Sequence, residues 1–404
     1  MADKAQTTRR DFLGTSARLA GLAGLASAAP GLQHAMAVVA GPVPRAINAD
    51  TTIRLGLIGT GGRGREILKP ALKQKNIEVK AIADPNEPNR QKCVAQVKEA
   101  IGQTPEIYDG EEGYKKLLAR EDIDACIIAV PPDLHAPIYL AAFAAGKHFY
   151  GEKPMCIEKE EADALVAAQE KNPKVVAQIG FQRRGCPRYH AGIKLIHDGV
   201  IGNPTHGRGA WNNSWGPLGL PDQGTAVWFG RRKQSGDWML EQACHTWDVL
   251  NWVAGAMPVA ASGMGVRGLF KDKDPQRDVT DYYLAHLEYP DEFYVTFEHS
   301  WICPKRDENR FFGIYERVSG PKGGVCLDEG KVFWRDEAKD PVQLKERGGE
   351  PNMTIDSMDA FFRSMRTGTP PVSGVINGRM ATMTGLLVRK AVYEHRRVKM
   401  SEIA

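Results

Sequence analysis

Lys153, Glu241 and His245 are the residues of this chain whose types and settings best suit proton chemistry. Lys153 stands in Glu152-Lys153-Pro154, directly after the short apolar run from His148 to Gly151, which reads as a buried strand. A lysine at a strand end can donate hydrogen bonds to an oxygen on which negative charge develops. His245 lies in Gly236-Asp237-Trp238-Met239-Leu240-Glu241-Gln242-Ala243-Cys244-His245-Thr246-Trp247-Asp248. If this stretch is one helix, Glu241 and His245 share a face, and the carboxylate should orient the imidazole and raise its pKa. Glu241 is long enough to act on a substrate itself. Asp248 falls within the same two turns and is expected either to contact substrate or to fix the helix against a neighbour. No second His/Cys cluster supports a metal face here, so no metal is expected.

A second set of residues suits phosphate recognition. Gly59-Thr60-Gly61-Gly62-Arg63-Gly64 follows the apolar run Ile53–Ile58 and precedes a helical stretch from Arg65. In the pattern G-x-G-x-x-G, the first glycine permits a tight turn and the second lets the backbone approach a pyrophosphate. The third lets helix and strand pack closely, with the helix N-terminus facing the phosphates. Twenty residues after Gly64, Asp84 ends the next strand (Val79–Ala83), where a carboxylate meets ribose hydroxyls and repels a 2′-phosphate. NAD is therefore expected over NADP. Cofactor contacts are expected from Gly59, Gly61, Gly62, Arg63, Gly64, Asp84, Pro131, His135, Glu152 and Lys153.

The elements that position these groups alternate between strand and helix throughout 53–175, which predicts a parallel, doubly wound sheet. Ligands in such sheets lie at the carboxyl ends of the strands, which places Pro131 and Lys153 beside the cofactor. Residues 176–404 read as a second α/β domain. Tyr282–Leu287 and Tyr294–Glu298 have strand period, with Pro290-Asp291-Glu292 as a hairpin turn between them and Pro321–Gly324 as another turn. Six of the eight tryptophans (211, 215, 228, 238, 247 and 252) crowd this domain's first part. Trp247 and Trp252 suit the core. Trp211, Trp215 and Trp238 lie in an Asn/Gly/Pro-rich region where sugar-binding loops are expected. Arg183 and Arg184 are candidates to orient substrate or cofactor, Arg184 foremost.

Residues 1–37 read as a targeting segment. Thr7-Thr8-Arg9-Arg10-Asp11-Phe12-Leu13 precedes a weakly apolar, Ala/Gly-rich stretch and a small-x-small site at Ala35-Met36-Ala37, in the order of a twin-arginine signal. Arg18 and the interspersed glycines and serines argue against a stable membrane anchor, which needs about 20 strongly apolar residues. Residues 38–52, with Gly41, Pro42 and Pro44, read as an arm or linker. The 404 residues suit two domains, and the composition is globular at 42% apolar and 25% charged. The net charge of +4 carries no basic stripe, which excludes nucleic acid as an expected partner. Seven scattered cysteines without CxxC read as free thiols.

The glycine loop, Ala83-Asp84, Val130-Pro131-Pro132-Asp133-Leu134-His135, Glu152-Lys153-Pro154 and Ile179–Pro187 together resemble the glucose–fructose oxidoreductase, inositol dehydrogenase and MocA family over nearly all of 53–404. The resemblance implies a Rossmann domain followed by an α/β domain with an open, mostly antiparallel sheet. It also implies that Lys153 polarises a substrate hydroxyl while His245 takes its proton. The family usually shows Asp-x-x-x-His at this helix, and Glu241 replaces that aspartate. The expected function is an exported oxidoreductase acting on a sugar or polyol hydroxyl. Its NAD would be tightly held and recycled in place, because an exported enzyme has no free pool to draw on. The alternative is a redox-neutral glycoside hydrolase, working by oxidation, elimination, hydration and reduction; Glu152-Lys153-Pro154 fits the dehydrogenases better. A sensor with a vestigial site is a poorer fit, because Lys153 and His245 are both present. Expected partners are a carbohydrate substrate, the twin-arginine export machinery and further copies of the chain as a dimer or tetramer, with a periplasmic or otherwise exported location.

Overall fold

The computed structural model describes residues 47–48, 50–213, 216–304, 311, 313–344 and 352–404. The signal segment and most of the arm, together with Trp215, lie outside the described residues. The first half of the chain alternates strand and helix: β1 (Ile53–Ile58), α1 (Gly62–Ala71), β2 (Ile77–Ala83), α2 (Glu87–Ile101), β3 (Glu106–Tyr108), α3 (Gly113–Leu118), β4 (Ala125–Ile128), α4 (His135–Ala144), β5 (His148–Gly151), α5 (Lys159–Lys171) and β6 (Ala177–Ile179). The six strands form one parallel sheet in the order β3-β2-β1-β4-β5-β6. Helices cover both faces, so β4 is buried at every position and β1 at all but Arg54. The order reverses between β1 and β4, which opens a crevice at their carboxyl ends. This is the doubly wound sheet expected. It runs on through β6, beyond residue 175, where the sequence reading had divided the domains.

The second half supplies α6 (Pro187–His197), β7 (His206–Asn212), the short helices α7 (Arg232–Ser235) and α8 (Trp238–Glu241), and α9 (Cys244–Ala254). Seven strands follow: β8 (Ala260–Arg267), β9 (Thr280–Glu288), β10 (Tyr294–Ser300), β11 (Gly313–Gly320), β12 (Gly323–Cys326), β13 (Lys331–Trp334) and β14 (Val342–Gln343). The chain closes with α10 (Met353–Thr367), α11 (Val375–Glu394) and β15 (Val398–Lys399). These strands build a nine-stranded sheet, β14-β13-β12-β11-β7-β10-β9-β8-β15, antiparallel except where β7 and β10 run side by side. Alternate residues of β9 and β10 are buried, so one face packs on helices while the other carries exposed Met264, Leu284 and Tyr294. Met358, Phe361, Phe362 and Met365 of α10 pack in the core cluster that holds β1 and α1, which ties the end of the chain to the first sheet.

All seven cysteines are free, five of them buried. No helix among the described residues is long and apolar enough to cross a membrane. No three His, Cys, Asp or Glu residues converge as a metal set among them.

Candidate active site

The glycine loop closes as its spacing implies. Gly59 has φ +86°, and a Cβ there would stand 2.2 Å from the Ala129 carbonyl oxygen. A Cβ on Gly64 would stand 2.0 Å from the Gly59 carbonyl oxygen, so strand, loop and helix touch. At Gly61 and Gly62 a Cβ would meet nothing within 4 Å. Two glycines are therefore required by packing, and two leave open space at the start of α1, where Gly61 supplies no side-chain cap to the free N–H groups. This cradle fits a pyrophosphate. Asp84 is at the end of β2 as expected, and its carboxylate accepts from Thr60 N (2.6 Å), Thr60 Oγ1 (3.0 Å) and Asn86 N (2.7 Å). It thus braces the loop from below. Arg63 reaches across the end of β4 to Glu152, its Nε and Nη2 standing 3.0 and 2.9 Å from Oε1.

Glu152 and Lys153 leave β5 into the same crevice. The backbone around them is pinned. Tyr139 Oη donates to the Glu152 carbonyl at 2.6 Å, and the His135 ring nitrogens stand 2.5 Å from the Pro154 carbonyl oxygen and 2.9 Å from that of Val130. The Lys153–Pro154 peptide is cis. Lys153 Nζ donates to the Glu241 carboxylate (2.7 Å) and to the Glu241 backbone carbonyl (2.6 Å). Burial pulls the ammonium pKa down most strongly, but the charges of Glu241, Cys244 and Glu152 together with the Glu241 hydrogen bond outweigh it, and Lys153 ends above its ordinary value.

His245 stands at the first turn of α9. Its ring stacks on Trp211 (centroids 5.7 Å apart, 15° between planes) and meets Phe181 edge-on at 6.0 Å. Burial, and then the charges of Lys153, Arg183 and Arg63, push its pKa well below the usual imidazole value. The expectation of a carboxylate-oriented, pKa-raised histidine is thus reversed, for a geometrical reason. The segment is not one continuous helix. Ala243 N bonds the carbonyl of Trp238, five residues back, and Gln242 and Ala243 separate α8 from α9. That widened turn gives Glu241 to Lys153 and leaves His245 a neutral imidazole, ready to accept a proton.

The profile described as the oxidoreductase family, NAD-binding Rossmann fold, matches residues 53–181, and the GFO/IDH/MocA C-terminal domain matches residues 189–325. The chain belongs to the GFO/IDH/MocA family. It carries that family's NAD-binding Rossmann domain. Among curated relatives, a glycosyl hydrolase family 109 protein of Streptomyces filamentosus is 31% identical over 227 residues, 51% of this chain and 46% of that one. Another, from Shewanella putrefaciens (strain CN-32 / ATCC BAA-453), is 29% identical over 186 residues, 46% of this chain and 39% of that one. The chain thus matches less than half the length of either relative. Among solved structures, levoglucosan dehydrogenase in complex with NADH and levoglucosan superposes with TM-score 0.72 at 20% identity, covering 86% of this chain and 99% of that one. An aldose–aldose oxidoreductase from Caulobacter crescentus complexed with glycerol gives 0.69 at 20% identity, covering 86% and 99%. These structures share the GFO/IDH/MocA fold.

Within this GFO/IDH/MocA site, three residues fall elsewhere than expected, and Asp248 takes the helix-fixing one of its two expected roles. Trp238 is fully buried, stacked near-parallel to His299 and against Trp301, so it is core and not a sugar platform. Arg184 and Asp248 are spent on each other: Nε stands 2.8 Å from both carboxylate oxygens, with the guanidinium over Trp252. That pair fixes α9 to the loop before α6. His135 is buried and both ring nitrogens face backbone carbonyls, so it supports Lys153 instead of touching a cofactor. Trp211 does line the site, as the plate behind His245, with the Arg183 guanidinium 5.4 Å from its ring centroid. Two participants escaped the sequence reading. Glu316, fully buried on β11, pairs with Arg183 and accepts from Tyr189 and Thr246. Gln242 bonds His299. Both partnerships join residues more than fifty positions apart, so no local pattern announces them.

Proposed function

We propose that this protein is an NAD-dependent oxidoreductase acting on a secondary hydroxyl of a sugar or polyol. The observation that carries the reading is the placing of Lys153, hydrogen-bonded to Glu241, and of His245, set against Trp211 and Phe181 within the field of the Lys153 charge, at the mouth of the Rossmann crevice. Lys153 Nζ donates to the substrate hydroxyl oxygen and stabilises its developing charge. His245 accepts the hydroxyl proton. When bound, the nicotinamide supplies the acceptor for the hydride that leaves the same carbon. Trp211 and Phe181 keep the imidazole dry and fixed, and Glu241 keeps Lys153 charged. A carboxylate at Asp84 favours NAD over NADP. The levoglucosan dehydrogenase and aldose–aldose oxidoreductase structures support a carbohydrate substrate, because those proteins share the fold.

The targeting segment supports export in the folded state by the twin-arginine route, to the periplasm or beyond. A cofactor loaded before export must then be retained and reset in place, for which the Arg63–Glu152 pair across the crevice is suited. The exposed Met264, Val266 and Leu284 on the open sheet face support self-association as a dimer or tetramer.

A second reading is favoured by the curated relatives, which are named as glycosyl hydrolase family 109 proteins. The same oxidation would acidify the neighbouring C–H, the aglycone would leave, water would add, and the hydride would return. The test is to incubate purified holoprotein with sugars and with glycosides, without added cofactor. Sugar oxidation coupled to reduction of a second sugar supports the oxidoreductase. Glycoside cleavage without net reduction overturns it in favour of the hydrolase.

A further inference from the structure

Gln242 sits in the turn between α8 and α9, directly after the partner of Lys153 and three residues before His245. Its Oε1 stands 2.8 Å from Nε2 of His299. His299 is fully buried on β10, and burial pushes its pKa down to about 3, so the ring is neutral and carries one proton. Nδ1 of His299 is buried without a hydrogen-bond partner. A buried N–H without a partner is rarer than an under-used acceptor, so the proton belongs on Nε2 and is donated to Gln242 Oε1. This also settles which way the amide faces. The ring cannot swing away, because it is stacked between Trp238 (5.9 Å, 12°) and Tyr283 (5.2 Å, 8°).

The other edge of the Gln242 amide is therefore its nitrogen, with two donors. That nitrogen has no hydrogen-bond partner among the described residues, and it is not among the fully buried unpartnered atoms. The residue is 7% exposed, like His245 beside it. Next to it in sequence, Glu241 gives one carboxylate oxygen to Lys153, and its second oxygen has no partner among the described residues. His299 lies opposite Trp211 across the β10–β7 pair, and Trp211 stacks on His245, so the anchored donor pair is held on the His245 side of the site, one residue along the turn from the free acceptor of Glu241. Unpartnered polar groups in a nearly buried place are costly unless a ligand completes them.

We propose that Gln242 is a specificity-determining residue, whose Nε2 donates to the hydroxyl adjacent to the one that reacts. The second oxygen of Glu241 accepts that hydroxyl's proton. The substrate class follows: a vicinal diol within a sugar or polyol ring, not an isolated alcohol. This deepens the carbohydrate reading above and rests on it.

The test is a cycle between residue and hydroxyl. Levoglucosan, myo-inositol and their monodeoxy derivatives are titrated calorimetrically into NADH-loaded wild type and Gln242→Glu. Glutamate keeps an acceptor for His299 while removing the outward donors. Wild type should lose at least about tenfold in affinity for one deoxy derivative, and Gln242→Glu should show no such penalty while binding NADH as wild type does. Gln242→Met, neutral and unable to donate, repeats the cycle should a second carboxylate disturb the Lys153–Glu241 pair. An equal deoxy penalty in wild type and variants overturns this inference alone. Failure of wild type to bind any of these carbohydrates overturns the substrate reading with it.

Discussion

In the proposed reaction Lys153 and His245 serve one centre, and they are held by opposite means. The loop after β5 surrounds its lysine with partners: a carboxylate on the ammonium, a tyrosine on the preceding carbonyl and a histidine on the following one. The first turn of α9 offers its histidine two aromatic rings and, among the described residues, no carboxylate partner. The difference teaches how a site keeps an acid charged and a base neutral within one crevice. The Glu241 carboxylate is assigned to the lysine, and the lysine's charge in turn helps to keep the histidine unprotonated.

Four changes break or sharpen that contrast. The largest effect is expected from His245→Gln, which removes the proton acceptor; turnover should fall by about 10²–10⁴-fold while bound NADH is retained. Lys153→Ala removes the donor to the developing oxyanion and should cost about 10²–10³ in turnover, again with the cofactor in place. Full activity in either variant, measured by steady-state kinetics, would falsify its assigned role. Glu241→Gln is milder, about tenfold near neutrality. Its signature is in the pH profile. Lys153 acts only while protonated, and its pKa is raised by Glu241, so activity is lost as pH rises through that value. Removing the carboxylate should bring the alkaline loss to lower pH; an unshifted alkaline limb would show that the pair does not set the lysine's charge. The smallest effect is expected from Arg63→Ala, which opens the bridge to Glu152 and should speed NADH release by a few-fold, on the scale of one partly exposed charged hydrogen bond. Stopped-flow displacement checks this, and an unchanged rate would remove Arg63 from cofactor retention.

How much of this was legible in the sequence follows from the range of the interactions involved. The glycine loop, Asp84 and the strand before Lys153 are local patterns, and they were read at their places because loop, strand and helix are consecutive in the chain. The relation between Glu241 and His245 was misread because a four-residue spacing assumes an unbroken helix. The Ala243 N–H to Trp238 carbonyl bond that widens the turn has no composition signal. Trp238 looked like a binding-loop aromatic, yet His299 and Trp301 arrive from β10 and its end to bury it. Arg184 looked available for a ligand, since nothing local shows that Asp248, 64 positions away, neutralises it. The Rossmann half builds its site from neighbours in sequence, and the second half builds its share from neighbours across a sheet.

The most direct test of the central claim is the protonation state of His245 itself. Nitrogen-15 NMR of histidine-labelled, NADH-loaded protein, with the His245 signal assigned through His245→Gln, can follow the ring between about pH 5 and 8. The account predicts a neutral imidazole whose shifts stay constant across that range. A ring that titrates near its ordinary value, or that stays protonated throughout, would contradict it.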